Sequence, residues 1–288
     1  MRCAVRHDYA RAKTRAQMDK EDVTFVAADQ LPMRLSSDQV LRVDGNAAIA
    51  EFTLKQDQSA QFLLGGLDDP RFKEGAAAIC LQRTLKFWRD WIGQSNYRGR
   101  WREMVNRSAL ALKLLTSRKH GAILAAATFG LPEVPGGERN WDYRYTWIRD
   151  ASFTVYAFMR LGFVQEANDY MRWLRGRVSD CHGKSMKLNI LYAIDGRQEL
   201  PETELSHLAG HGGATPVRIG NGAYDQVQLD IFGELMDAIY LVNKYGGAIS
   251  HEGWKHTVEV VDQVCETWQQ KDVGIWEMRG EQHHFLHS

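Results

Sequence analysis

Residues 136–153 read GGERNWDYRYTWIRDASF, and the spacing within them governs how the rest of the chain is read. Trp141, Tyr143, Tyr145 and Trp147 fall at every second position, the period of an extended segment. The four rings therefore point to one side while Asp142, Arg144 and Thr146 point to the other. From Ile148 the spacing lengthens to a helical one, with Phe153, Tyr156, Ala157 and Met159 on one face. An aromatic ribbon thus runs into a helix, with adjacent Arg149 and Asp150 at the junction. Two readings stand side by side. Flat aromatic faces beside a fixed charged fork suit a sugar ring, which offers C–H surface to stack and hydroxyls to bridge. The same pattern also describes a buried aromatic strand closed by a structural ion pair.

Upstream of the ribbon the pattern is first strand-like and then helical. Val23–Val26 is short and β-branched; Ala50, Phe52 and Leu54 alternate with polar residues, and Ala60, Phe62 and Leu64 resume the alternation after the polar turn at 55–59. This predicts an antiparallel hairpin, ended by the Gly- and Asp-rich run 65–70. Helices are expected over 76–92 and 101–115, the second with Met104, Val105, Ser108, Leu112 and Leu115 on one face. His120–Pro135 reads as a loop. Downstream, the helix leaving the ribbon should stop at Gly162, followed by helices over 165–177, 224–245 and 251–269. Residues 179–217 lack any sustained period and form a long excursion, which in a helical domain is more often functional than idle. The domain expectation is 1–66 for the strands, 67–99 for a helical linker and 100–288 for a helical domain.

The chain has 288 residues, with 36 basic and 36 acidic side chains. A net charge near zero argues against a nucleic-acid or membrane-surface partner held by charge, and fits an uncharged substrate. Nine Trp, ten Tyr and eleven Phe can supply both a core and a stacking surface. Cys3, Cys80, Cys181 and Cys265 are widely separated, with no CxxC pair, and read as free thiols of a reducing compartment. No apolar run reaches the ~20 residues of a membrane span and the first 16 residues carry no hydrophobic core, so the expected location is the cytoplasm.

The run RNWDYRYTWIRDASFTVYAFMRLGF, at 139–163, resembles the signature of the inverting glucoamylase-type hydrolases, glycoside hydrolase family 15, which includes glucoamylases, glucodextranases and bacterial trehalases. The resemblance implies that Arg149 and Asp150 hold the hydroxyls of the terminal glucose, with Tyr143, Tyr145 and Trp147 walling the same pocket. RIGNGAYDQVQLD, at 218–230, resembles a second signature segment, which implies sugar contacts from Arg218, Asn221, Asp225 and Gln226. The implied fold is mainly α: about the first half of an (α/α)6 toroid, preceded by strands resembling the end of a β-sandwich. A further helix is expected to start at His284.

Inverting hydrolysis needs one protonated carboxyl to donate to the leaving oxygen and a second to activate water from the opposite face, ~6.5–9.5 Å away. The donor needs a raised pKa, which apolar surroundings supply. Glu277 sits among Ile275, Trp276 and Met278, and GIWEMRG resembles the family's acid-bearing motif, with Trp276 beside the sugar. The alternative is a surface loop glutamate paired with Arg279. Fungal relatives carry a second carboxylate after the acid, where this chain has Met278. No position matches the family's general base, which is expected beyond Ser288. Asp230 and Glu234 read as a solvated helix face. His283, His284 and His287 lack an HExxH context, and no GxGxxG, P-loop or GxSxG is present, so neither metal nor cofactor is expected. The implied activity is hydrolysis of trehalose or a short α-glucan. The rival expectation is an inactive fragment, or a sugar-binding protein, that self-associates through the uncovered faces of an open half-ring.

Overall fold

β-Branched and alternating segments near the N-terminus do form strands, but with partners that local spacing does not reveal. In a computed structural model, residues 1–69, 75–179 and 188–288 are described. They divide into two compact units, Met1–Arg89 and Asp90–Ser288. The first unit holds β1 (Arg2–Cys3), β2 (Arg15–Asp19), β3 (Asp22–Val26), β4 (Met33–Ser37), β5 (Arg42–Asp44), β6 (Ala47–Ile49) and β7 (Phe62–Gly66). All pairings are antiparallel: one sheet runs β2-β3-β4-β7 and a smaller one β1-β6-β5. Val23, Phe25, Leu35, Leu41, Ala48 and Ala50 form their common core.

The hairpin expected between 50–54 and 60–64 is absent. Residues 50–61 are not strand, Phe52 and Leu54 are exposed, and β7 pairs with β4, placing Leu64 opposite Leu35. The polar turn itself is present, with Gln58 N donating to Lys55 O at 3.1 Å. Alternation marks extended chain without naming the strand that completes its ladder, and here the long-range partner covers Leu35.

Among the described residues six α-helices follow these strands: α1 (Ala76–Gly93), which crosses the division between the units, α2 (Arg102–Leu114), α3 (Ile148–Leu161), α4 (Val164–Ser179), α5 (Asp230–Tyr245) and α6 (His251–Thr267). The core of the second unit is built from α3, α4 and α5. On α3 the buried face is Ile148, Ala151, Val155, Phe158 and Met159, rotated from the expected one, since Phe153 and Tyr156 are exposed. On α4, Ala167, Tyr170, Met171 and Leu174 face inward as their spacing requires. Gly162 ends α3 at φ 91°, a conformation that glycine adopts at little cost, and Phe163 N then bonds back to Phe158 O at 2.8 Å. Trp91 stacks on Phe163 with centroids 4.0 Å apart. Its indole N–H donates to Glu166 at 2.7 Å, and Lys113 of α2 approaches the same carboxylate at 2.7 Å.

Two further expectations are corrected. The helix expected from Tyr224 begins at Asp230, because Gly222–Asp225 is a 3₁₀ turn capped by the Asn221 side chain on Ala223 N. No helix starts at His284. The apolar face of α2 stays largely open, with Met104 and Leu114 exposed and Ala109 buried. α6 is also open: Trp254 and Trp268 are exposed and Val260 is buried. Cys3, Cys80 and Cys265 are free, while Cys181 lies outside the described residues, as do positions 180–187 of the long excursion. Among the described residues no helix is long and apolar enough to cross a membrane.

Since Phe158 is fully buried and packs edge-on against the rings of Trp91 and Phe163, Phe158→Ala should cost about 3–5 kcal/mol in urea denaturation. A loss below about 1 kcal/mol would show that this face is not core.

Candidate active site

The ribbon is extended although little of it belongs to a regular sheet. Ala125 N donates to Tyr145 O at 2.9 Å, Ala126 N to Tyr143 O at 3.0 Å and Tyr143 N to Thr128 O at 3.1 Å. The last two residues form β8 (Thr146–Trp147), which pairs with β9 (Leu191–Tyr192), and Ile148 N then bonds Ile190 O at 2.9 Å. The two-sided alternation is therefore real. On one side Asp142 and Thr146 are buried, and Asp142 accepts from Arg144 Nε and Nη2 at 2.8 Å each. On the other side Tyr143 and Trp147 face an open cleft of about 740 Å³.

Arg149 and Asp150 in the first turn of α3, with Trp276 and Glu277 from the loop after α6, complete the principal walls of this cleft. Asn221 and Gln226 line it as well, as do Trp141 and Arg279. The remaining candidates lie elsewhere. Tyr145 Oη accepts from Gly220 N at 3.0 Å, joining the ribbon to β11 (Arg218–Ile219), which pairs with β10 (Thr203–Glu204). Gly220 has φ 81°, and a Cβ there would sit 2.0 Å from Pro201 O, so only glycine fits this crossing. Arg218 stands over the Trp141 ring, 4.9 Å from its centroid, and donates to Glu138 O at 2.9 Å. Asp225 is exposed and outside the cleft lining. Asn221 combines cleft lining with a structural bond, its amide donating to Asp142 O at 3.2 Å.

Glu277 sits in a tight turn, with Glu277 N bonded to Gly274 O at 3.1 Å, and has φ 52°, a left-handed conformation uncommon for a residue with a side chain. Asp272 holds the base of the turn. Its carboxylate accepts from Gly274 N at 3.1 Å and from Leu229 N, just ahead of α5, at 2.9 Å. Val273 N reaches Val227 O at 3.2 Å from the same loop. The turn is thereby tied to the start of α5, a link that no local spacing around Asp272 announces.

The Glu277 carboxylate receives the Trp147 indole N–H at 2.6 Å, and Arg149 Nη2 lies 3.9 Å from the same oxygen. Burial pushes its carboxyl above the ordinary value of 4.5, an effect opposed by the Trp147 bond, the Arg149 charge and the Gln228 amide, and reinforced by Asp150. Asp150 opens onto the cleft yet is recessed among neighbouring atoms, and this desolvation raises its carboxyl while Arg149 pulls it down. Arg279 does not pair with Glu277. It pairs with Glu202, as Arg218 Nε does more loosely at 4.0 Å, and stacks over Trp141 at 4.2 Å. Burial pulls the Glu202 carboxyl upward, but the Arg279 hydrogen bond, with Gly222 N–H and both guanidinium charges, brings it below its usual range.

Asp230 is the residue that the sequence reading misplaces. Expected on a solvated face, it is buried, and its Oδ2 lies 2.8 Å from Arg149 Nη1. Gln228 Oε1 accepts from the same nitrogen at 2.8 Å. No local spacing signals this, because the cation that Asp230 answers comes 81 positions earlier in the chain. Among the described residues no group of three His, Cys, Asp or Glu side chains is arranged to hold a metal ion. His287 instead lies 3.8 Å from Asp230.

Residues 99–288 match the family model described as glycosyl hydrolases family 15. A trehalase of Mycobacterium tuberculosis is 38% identical over 258 residues, covering 89% of this chain and 38% of that protein. A trehalase of Thermoplasma acidophilum is 39% identical over 208 residues, covering 72% of this chain and 35% of the relative. The chain thus spans about two-fifths of the length of these relatives. A solved wild-type glycosidase aligns with a TM-score of 0.41 at 21% identity, covering 62% of this chain and 43% of that one.

The raised Glu277 carboxyl has a stability consequence. The folded state holds this proton above the ordinary 4.5, so stability drains as pH rises from that value through the raised one. Glu277→Gln removes the drain. The melting temperature of the variant relative to the parent should therefore climb between pH 4 and pH 8, whereas a pH-independent difference would place the carboxyl at its ordinary value.

Proposed function

Because the chain belongs to the glycosyl hydrolases of family 15, we propose that its cleft hydrolyses an α-linked glucoside, trehalose or a short α-glucan, with inversion at the anomeric carbon. The observation that carries this reading is the Glu277 carboxyl: raised by burial, anchored by the Trp147 indole and open to an aromatic-walled cleft. Such a group holds its proton to higher pH than an exposed glutamate does, and can give it to the leaving glycosidic oxygen. Arg149 and Asp150, side by side at the N-terminus of α3, would grip the hydroxyls of the terminal glucose, and Tyr143 and Trp147 would offer ring faces to its C–H surface. Trp276, largely exposed at the mouth, is placed to meet the leaving sugar. The names of the relatives incline the choice towards trehalose.

The helices would form part of an (α/α)6 toroid, and the apolar side chains exposed on α2 and α6 would support association between copies. The water-activating carboxylate is not assigned to any residue of 1–288. A second reading, sugar binding without turnover, draws support from Asp230: this buried carboxylate near the cleft is committed to Arg149 and not open to a water.

Glucose release by the purified protein from trehalose and from maltotriose, beside Glu277→Gln, separates the two. Hydrolysis should fall about 10²–10⁴-fold in the variant, the usual contribution of a general acid. Equal rates would remove Glu277 from that role. If neither protein releases glucose, tryptophan fluorescence that responds to trehalose in the parent and not in Arg149→Gln would favour the binding reading.

A further inference from the structure

Arg149 faces two carboxylates at unequal distances. Its Nη1 is shared between Asp230 Oδ2 and Gln228 Oε1, both at 2.8 Å. Its Nη2 stops 3.9 Å from Glu277 Oε1, outside hydrogen-bond range. Guanidinium–carboxylate pairs normally close to about 2.7–2.9 Å, and a shift of roughly 1 Å would bring Glu277 into that range. What opposes the shift is on the other edge. The Asp230 side chain is almost fully buried at the first position of α5, and its Oδ1 has no hydrogen-bond partner among the described residues. A carboxylate so placed holds its cationic neighbour firmly, because separating them would leave a charge unpaired out of water.

We propose that Asp230 is a positioning residue for the acid: by holding Nη1 of Arg149, it keeps that guanidinium from closing on Glu277, and so leaves the Glu277 carboxyl able to carry a proton. Gln228 assists with a neutral acceptor on the same nitrogen. One cation then serves two purposes, with Nη1 neutralising Asp230 and Nη2 left towards the cleft. This rests on Glu277 being the proton donor of the proposed hydrolysis. The groups that bear on the balance are on several elements. Around Asp230 stand Arg149, Gln228, His287 and, one turn along α5, Glu234. Around Glu277 stand Trp147, Arg149, Gln228, Asp150 and Tyr143.

The test reads Glu277 directly, whether or not the protein turns over sugar. The protein is labelled with ¹³C-carboxyl glutamate, its resonance is assigned by loss of the signal in Glu277→Gln, and its titration is followed by NMR. Asp230→Asn, which preserves shape and removes charge, should lower the Glu277 midpoint by about 1–2 pH units, the effect of the charge-assisted hydrogen bond its carboxylate gains when Nη2 closes from 3.9 Å. The same change in an Arg149→Gln background should lose most of that shift, because the effect passes through Arg149. Asp230→Ser repeats the measurement should the asparagine variant fail to fold, and a His287→Ala background removes titration of that ring from the comparison. An unchanged midpoint, or a shift of equal size with and without Arg149, would overturn the proposal. Loss of glucose release in Glu277→Gln tests the acid assignment separately.

Discussion

A positive charge at the mouth of a helix, largely removed from water, has to be answered by nearby acceptors, and in this protein Arg149 is that charge. Its side chain is 14% exposed, and it draws Gln228, Asp230 and, more loosely, Glu277 around it. These residues come from α3, from the start of α5 and from the turn after α6. Satisfying one guanidinium therefore brings together segments up to 128 residues apart (277 minus 149). Ion pairs of this kind add little net stability, but removing one partner is costly because it leaves the other charge buried and unpaired.

The aromatic ribbon works under a related constraint. One side is anchored by Asp142 clamped on Arg144, with Arg144 over Phe129 at 4.0 Å, while the other side presents rings to the cleft. The rings are held and not merely exposed. Trp147 is fixed by its bond to Glu277, and Trp141 lies beneath the guanidinium groups of Arg218 and Arg279. Glu202 in turn holds Arg279 and Gly222 N, so a residue of the long excursion joins the acid-bearing turn to the segment around β11.

The family signatures quoted from the sequence lie within residues 99–288, which match the family model. The ribbon, the stretch 218–230 and the loop 272–279 meet at one cleft. Within each signature, however, the structure divides the labour. Trp147, Arg149, Asp150 and Glu277 face the cleft, whereas Tyr145, Arg218 and part of Asn221 hold the backbone that carries them.

By itself the sequence determined what short-range periodicity can encode. It specified the two-sided ribbon, α1 and α2, the stop at Gly162 and the inward face of α4, because each depends on residues a few positions apart; Arg149, Asp150 and Glu277 were singled out by the family resemblance. Tertiary structure decided the partners. β7 lies against β4 and not beside residues 50–54, since a strand pattern specifies a face and leaves the neighbour open. α3 turned Phe153 and Tyr156 outward, while Ala151, Val155 and Phe158 became fully buried. Asp230, indistinguishable by spacing from a solvated helical acid, was drawn inside by a cation that comes 81 positions earlier in the chain. Electrostatic pairing across such distances has no signature along the chain, so only the folded packing could reveal it.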